Sequence, residues 1–376
     1  MADTPLTMAT AKATFDALTQ DMRPRVLVDN IFVDKPFWVK MRGNMLPVSG
    51  QAWMPPVMLR KLTGQWYTRA GEIGSSLSTS FSPEIASSAK YEIKFWAGHV
   101  LIPTQDIAQQ GRLGLVDLHQ AYIDNEVLSV RDAMSTAIFD RDTTTIGTGQ
   151  ESNGIETLDQ ACWYGNTYGG ISPLVANQTT WEAHVMYGDT DTYIQSVAPS
   201  VENFEFMVDT IEATSGEKPD LIVVTEATWL ALKAQVTANE YLSAMMSQKG
   251  NEGVNWQTST LWIGGVPVVR DRDCYGEDFT ADQATVVLAD GHDAYFLNFN
   301  RFKFAYDAGI SFRWHEDGWE RTKLPYDAFL NTFYVWGTTG STARRTLGRI
   351  ANIDPTMNQS DFTLGTIRLP GGSTVP

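Results

Sequence analysis

"LGLVDLHQAYIDNEVLSVRDAMSTAIFD", residues 113–140, is the strongest periodic stretch of the sequence. It contains no proline, and Gly114 stands only near its start. Its apolar side chains recur at the three- and four-residue spacing of one helix face. They are Leu115, Leu118, Tyr122, Ile123, Val127, Val130, Met134, Ala137 and Ile138. At about 1.5 Å per residue, the pattern predicts a single helix about 40 Å long, which is longer than a compact domain normally needs.

A polar turn, "RDTTTIGTGQESNGI" at residues 141–155, follows the predicted helix. Glycine-containing turns beside helices also bind phosphate, so an enzyme site has to be considered. The phosphate-binding patterns G-x-x-x-x-G-K-[ST] and G-x-G-x-x-G come directly after a strand. This turn follows a helix and contains no lysine. The sequence therefore favours a hinge over a phosphate site.

Residues 64–103 read as a long hairpin, with two strand-like segments around a Ser- and Gly-rich centre at 72–89. In the second segment Tyr91, Ile93 and Phe95 alternate with charged residues, which indicates a strand with one apolar side. An isolated two-stranded hairpin is only marginally stable in water. We therefore expect this hairpin to lie on a surface that a neighbouring subunit supplies.

The first 62 residues carry six prolines and no sustained periodicity, yet they include "IFVDKPFWVKM" and "QAWMPPVML". The segment is too apolar for a free tail and too irregular for a domain. It is predicted to be an arm that packs on something else.

The second half of the chain alternates strand and helix patterns. A helix is predicted at 203–214 and a buried strand at Leu221–Val224. Thr225 is predicted to cap a helix that places Trp229 and Leu232 on one face. "TLWIGGVPVVRDRD" and "ATVVLADGHDAYFLNF" add two strands, and long strands are predicted from residue 300 onward.

Charge divides the chain unevenly. The net charge is −16, which disfavours a sequence-reading nucleic-acid binder, since such proteins need basic patches. Residues 1–62 and 321–376 each carry +3, whereas the middle carries −22. This polarity would let the ends of one copy rest on the body of another. No signal-peptide pattern and no apolar run of membrane-spanning length occurs, so no membrane association is predicted.

Chemistry-bearing residues do not form a recognisable site. Cys162 and Cys274 have no metal-ligand spacing. His315 and Asp317 lie on one side of a predicted strand, which is too few ligands for a stable metal site. "GTTGSTARR" at 337–345 is interpreted as a turn with a basic surface patch. The sequence predicts no catalytic residue, no cofactor site and no metal site.

The order of parts resembles the major capsid protein family of tailed bacteriophages, with the Hong Kong 97-type fold. The resemblance is carried by the Pro-interrupted arm, the long hairpin, the long helix closed by "GTGQESNGI", "DLIVVTEATWLAL", "GGVPVV" and a late aromatic strand before "ARRTLGRI". It spans about residues 25 to 352, and no single motif in it is a rigid signature.

This resemblance implies an α+β capsid fold with a spine helix, a long β-sheet and an α/β axial domain. The implied segments are an N-terminal arm (1–62), an extended hairpin loop (63–102), a peripheral domain with the spine helix (103–204), an axial domain (205–297), return strands of the peripheral domain (298–352) and a C-terminal tail (353–376). Gly147, Gly149 and Gly154 would give the turn after the spine helix its backbone freedom.

The implied function is assembly rather than catalysis. Copies would form hexameric and pentameric capsomers of an icosahedral shell around phage double-stranded DNA, assembled in the host cytoplasm and located in the virion. The implied partners are a separate scaffolding protein, a portal protein, a decoration protein and packaged DNA contacted without sequence preference. The candidate contacts between subunits are Phe37, Trp38, Trp66, Arg69, Glu72, Phe81, Glu84, Lys90 and Lys94. The alternatives are a tail-tube component and an oligomeric enzyme.

Overall fold

The computed structural model describes most of the chain in two compact units. The described residues are 35–59, 86–104, 118–139, 154–175, 178–187, 197–238, 261–274, 278–279, 286–287, 292–314, 320–321, 328–355, 366–368 and 374–375. The first unit takes them from Phe95–Met134 and Ile310–Trp336. The second takes them from Lys35–Lys94, Ser135–Gly309 and Gly337–Pro376.

Helices and strands follow one another along the chain in mixed order. The described helices are α1 (Pro36–Arg42), α2 (Leu118–Phe139), α3 (Leu158–Ala161), α4 (Val201–Ser215), α5 (Glu226–Ala238) and a 3₁₀ turn (Arg344–Thr346). The described strands are β1 (Leu46–Val48), β2 (Ala52–Trp53), β3 (Pro56–Met58), β4 (Ala86–Ser88), β5 (Tyr91–Glu92), β6 (Lys94–Pro103), β7 (His184–Tyr187), β8 (Leu221–Val224), β9 (Leu261–Ile263), β10 (Val266–Arg270), β11 (Asp278–Phe279), β12 (Val286–Val287), β13 (His292–Leu297), β14 (Phe302–Asp307), β15 (Arg313–Trp314), β16 (Glu320–Arg321), β17 (Ala328–Ser341), β18 (Gly348–Ile353), β19 (Thr366–Arg368) and β20 (Thr374–Val375).

The predicted long helix is present as α2, an uninterrupted helix of 22 residues. At about 1.5 Å per residue it is about 33 Å long. Val130, Met134 and Ile138 on its predicted apolar face are buried, whereas Val127 is exposed. The predicted start at 113 lies outside the described residues.

In the first unit, β6, β15 and β16 each pair with β17. Phe333 and Val335 of β17 are buried, as are Val100 and Ile102 of β6. A Cβ at Gly98 of β6 would collide with the side chain of Glu126 in α2, so helix and strand approach closely at this glycine.

The second unit is built on an eight-stranded sheet in the order β20-β19-β7-β18-β13-β8-β10-β9. All four residues of β8 are buried, as predicted for Leu221–Val224. Thr225 Oγ1 accepts a hydrogen bond from the amide of Thr228 at 3.4 Å, which confirms the predicted cap of α5. Gly264 and Gly265 both have positive φ and join β9 to β10 in a two-residue turn.

Several strand pairings cross the boundaries of the predicted segments. β18 was expected in the return strands of the peripheral domain, but it pairs with β13 and β7 and belongs to the eight-stranded sheet. β1 comes from the predicted arm, yet it pairs in parallel with β14, which also pairs with Gly337–Ser341 at the end of β17.

Among the described residues, no helix combines the length and the apolar character that crossing a membrane requires.

Candidate assembly site

The root of the predicted hairpin is an antiparallel ribbon formed by residues 51–58 and 86–93. β2 pairs with β5, and β3 pairs with β4. The amide of Ala89 donates to the carbonyl of Pro55 between these two ladders, and the amide of Ile93 donates to the carbonyl of Gln51 at their outer end. All partners keep one register without a bulge. The structure therefore shows an antiparallel ribbon here, but its first strand comes from residues 51–58 of the predicted arm. The predicted first segment of the hairpin, residues 64–71, lies outside the described residues, and residues 94–103 belong to β6.

One face of the ribbon is buried in the second unit. Tyr91 is fully buried and donates a hydrogen bond from its hydroxyl to the carbonyl of Ser341 at 2.7 Å. Its ring lies 5.3 Å from that of Trp53 and 5.2 Å from that of Tyr168. Burial raises the pKa of the Tyr91 hydroxyl well above its usual value. The ribbon root is thus fixed by aromatic packing and one buried hydrogen bond.

The other face of the ribbon is exposed and carries apolar and charged side chains. Met54 is 55% exposed and Met58 is 78% exposed. Lys90 Nζ lies 2.9 Å from Glu92 Oε1, and Lys94 Nζ lies 3.8 Å from Glu92 Oε2. The hydrogen bond and charge of Lys90, followed by the charge of Lys94, lower the pKa of the Glu92 carboxyl. Exposed ion pairs of this kind contribute little stability, so this face is available for contacts.

Arg344 binds the backbone near Tyr168, the residue whose ring packs against Tyr91 of the ribbon. It is fully buried, which corrects the prediction that "GTTGSTARR" forms a basic surface patch; Arg345 is exposed. Desolvation lowers the pKa of its guanidinium to about 10, so it remains charged at neutral pH. It donates to the backbone carbonyls of Gln160, Ala161, Trp163, Asn166 and Trp181. These carbonyls have a donor because a guanidinium offers five N–H groups.

Arg349, five residues after Arg344 in "ARRTLGRI", forms a buried ionic network. It contacts Asp159 and Asp293, and all three side chains are at most 1% exposed. Its guanidinium lies 4.9 Å from the ring of Trp163 and 5.6 Å from that of Tyr295. The network joins α3, β13 and β18. Sequence reasoning missed both arginines, since nothing in "ARRTLGRI" distinguishes a buried arginine from an exposed one.

A cleft of about 660 Å³ lies beside β3 in the second unit. Arg301 donates from Nε to both carboxylate oxygens of Glu217 at 3.0 Å, and this bond lowers the pKa of the carboxyl. Met58 and Arg345 also line it, and its described lining residues include no histidine, cysteine or lysine. Within the part of the chain that the structure describes, no three His, Cys, Asp or Glu side chains are placed to hold a metal.

The predicted contact residues fall into three groups. Lys90 lies on the exposed face of the ribbon, and Lys94 is the first residue of β6 directly after it. The prediction that Phe37 and Trp38 contact a neighbouring subunit is corrected, because the two side chains are 0% and 5% exposed within their own unit. Phe37 packs on Phe139 at 4.9 Å between ring centroids. The remaining candidates lie outside the described residues, namely Trp66, Arg69, Glu72, Phe81 and Glu84.

The predicted hinge and histidine positions are only partly described. Gly154 precedes the buried Ile155, and Gly147, Gly149, His315 and Asp317 lie outside the described residues. The hinge stays a prediction.

Sequence reasoning missed two exposed apolar features. In "WMPPVM" the odd-numbered Trp53 and Val57 are buried, whereas the even-numbered Met54 and Met58 are exposed. The alternation of a strand would therefore have indicated that both methionines lie on the outer face. In the first unit Phe95 is 67% exposed and meets Trp336 edge to face at 4.8 Å. Phe95 was expected on the same side as Tyr91 and Ile93, but from Gly98 onward the even-numbered residues of β6 are the buried ones.

No protein-family model matches the chain, and no curated protein matches it. Solved structures do. The capsid of cyanophage A-1(L) is 14% identical with a TM-score of 0.59, covering 91% of this chain and 99% of that one. The capsid of cyanophage Pam1 is 13% identical with a TM-score of 0.55, covering 94% and 99%. The SrpI encapsulin of Synechococcus elongatus is 8% identical with a TM-score of 0.55, covering 92% and 97%. The chain thus has the mixed α and β fold of tailed-phage capsid proteins.

Proposed function

We propose that the chain is the major capsid protein of a tailed bacteriophage. Copies assemble through hexamers and pentamers into an icosahedral shell around double-stranded DNA. The observation that carries the proposal is the ribbon, whose inner face is fixed in its own unit and whose outer face leaves Met54 and Met58 in solvent. A capsid subunit needs such a segment to reach a neighbouring copy.

The energetics of this contact favour association. Covering apolar surface of a neighbour contributes roughly 25 cal/mol per Å². Part of that gain is offset by the ordering of side chains and segments at the contact. Weak contacts repeated by symmetry then give a stable shell.

The elements take the following roles in this proposal. α2 is the spine helix of the peripheral domain, and the sheet around β17 is its long sheet. The eight-stranded sheet with α4 and α5 is the axial domain, and residues 51–93 are the extended loop. A scaffolding protein, a portal protein and a decoration protein are proposed partners. Packaged DNA is contacted without sequence preference.

Shortening the extended loop beyond the ribbon tests the proposal. Replacing residues 60–84 by Asn-Gly joins Leu59 to Ile85 through a two-residue turn that keeps the observed register. The subunit is expected to fold, with an unchanged thermal unfolding midpoint, but to form no shells in negative-stain micrographs. Its matched control replaces Gly264-Gly265 by Asn-Gly, which changes another two-residue turn and is expected to assemble normally.

The possible outcomes separate the alternatives. Normal shells from the shortened chain would contradict the role of the extended loop in assembly. Tubes from the unaltered chain would favour a tail-tube component, and a small closed oligomer would favour the enzyme alternative.

A further inference from the structure

Two buried aspartates stand directly after β10 in the second unit. Asp271 is 2% exposed and Asp273 is 5% exposed. The amide of Asp273 donates to Asp271 Oδ1 at 3.1 Å, so the two residues form one compact turn. The amide of Asp271 donates to the carbonyl of Val224 at 3.1 Å, which ties this turn to the end of β8.

The segment Lys35–Arg42, here called the arm root, lies on these aspartates. Lys35 is 3% exposed and forms an ion pair with Asp273. The amide of Phe37 donates to Asp271 Oδ2 at 3.3 Å. Since no side chain at the start of α1 caps it, Asp271 supplies an acceptor for a free amide of its first turn. The described part of the predicted arm is therefore anchored at its root.

Among the described residues, the charges at this anchor do not balance. Two buried carboxylates face one buried ammonium there, which leaves one negative charge in excess when both carboxylates are ionised. Arg272, between them in sequence, is exposed, as are Lys40 and Arg42 at the far end of α1. On the β13 side, Cys274 Sγ contacts the carbonyl of Asp293, whose carboxylate binds Arg349. An uncompensated buried carboxylate is costly.

Burial therefore favours the protonated, uncharged form of the Asp271 carboxyl. Desolvation by burial is the largest cause and raises the pKa of its carboxyl to about 6. The charge of Asp273 also raises it. The amides of Asp273 and Phe37 and the charge of Lys35 lower it.

We propose that the Asp271–Asp273 pair is a pH-dependent clasp for the arm root, closed most firmly when Asp271 is protonated and loosened when Asp271 ionises. We attribute the desolvation of Asp271 to the arm root that lies on it, and this desolvation outweighs the opposing contacts of Phe37 and Lys35. The direction then follows from linkage, because a carboxyl that binds its proton more tightly in the closed state favours that state at low pH. The stabilisation is fully present below the open-state pKa and is lost as the pH rises through about 6. This inference concerns one chain and does not depend on shell assembly.

Hydrogen exchange of the full-length chain tests the clasp. Protection factors of the amides of Phe37–Arg42 are measured at about pH 5 and pH 8, relative to an unstructured peptide of the same sequence at each pH. A carboxyl with a pKa of about 6 in the closed clasp and about 4 in the open one predicts a fall of about tenfold between these two pH values.

Three variants isolate the group responsible. D271N removes the titrating group and is expected to abolish the pH dependence, whatever its absolute protection. K35M removes a buried cation and is expected to make the fall larger than in the unaltered chain. D209N changes an exposed aspartate of α4 and is expected to retain the tenfold fall.

Two results would overturn the proposal. One is equal protection of the arm root at both pH values in the unaltered chain, a measurement that needs no variant to fold. The other is a fall of unchanged size in D271N.

Discussion

At the scale of single residues, Arg344 and Arg345 are adjacent, alike in chemistry and opposite in environment. Arg344 is buried with its N–H groups on backbone carbonyls, whereas Arg345 is exposed. Truncating Arg344 leaves several buried carbonyls without a donor, and each such group costs about 1–3 kcal/mol. We expect R344A to lower the free energy of unfolding by at least about 3 kcal/mol.

The matched control for R344A is R345A. It removes the same kind of side chain from an exposed position and should change the free energy of unfolding by no more than about 0.5 kcal/mol. Urea unfolding followed by circular dichroism measures both. Equal losses in the two variants would contradict the role assigned to Arg344.

At the scale of elements, the ribbon and β17 meet at Gly340 without room for a side chain. A Cβ there would stand 2.7 Å from ring atoms of both Trp53 and Tyr91. Both rings belong to the buried face of the ribbon, so they have no free space to move into. Overpacking of this kind costs about 1–3 kcal/mol, and G340A is expected to lose stability in that range and to expose the ribbon amides to hydrogen exchange.

Gly43 provides the comparison. It ends α1 with a φ of −66°, and the nearest atom to an added Cβ lies at 3.4 Å. G43A is therefore expected to be neutral or stabilising by up to about 1 kcal/mol. The role of Gly340 would be refuted if G340A matched G43A in stability and in ribbon exchange.

Elements with a local signature were predictable from the sequence. The period of α2, the apolar run of β8 and the cap at Thr225 each act within a few residues, and the structure confirms them over the described ranges.

Features that depend on distant partners were not predictable from the sequence. The sequence does not show whether Phe37 is covered by Phe139 of its own chain or by a neighbouring copy. Arg344 is likewise bound by backbone carbonyls about 160 to 180 residues away, and a carbonyl has no signature in sequence. A hairpin was predicted at 64–103, but the strand that pairs with 86–93 is 51–58, which was assigned to the arm. The sequence does not reveal this pairing, because register across a long connection is fixed by the surface on which the strands lie.

At the scale of the whole molecule, charge opposes the assembly that apolar contacts favour. Each copy carries a net charge of −16, concentrated in the middle of the chain, while both ends carry a small positive excess. Copies brought side by side therefore repel one another over long range. Attraction between basic ends and acidic bodies acts only at contact.

Salt separates these two effects. The screening length falls from about 10 Å at 0.1 M to about 3 Å at 1 M, so added salt removes the long-range repulsion first, and contacts that exclude water are screened much less. We expect the concentration at which light scattering reports assembly to fall as sodium chloride is raised. Ethylene glycol, which is uncharged, provides the control for a general solvent effect and should not lower this concentration.

An assembly concentration that rises with salt would contradict this expectation. It would show that attraction between the basic ends and the acidic body dominates the association of copies. Burial of the exposed apolar face of the ribbon would then not drive association.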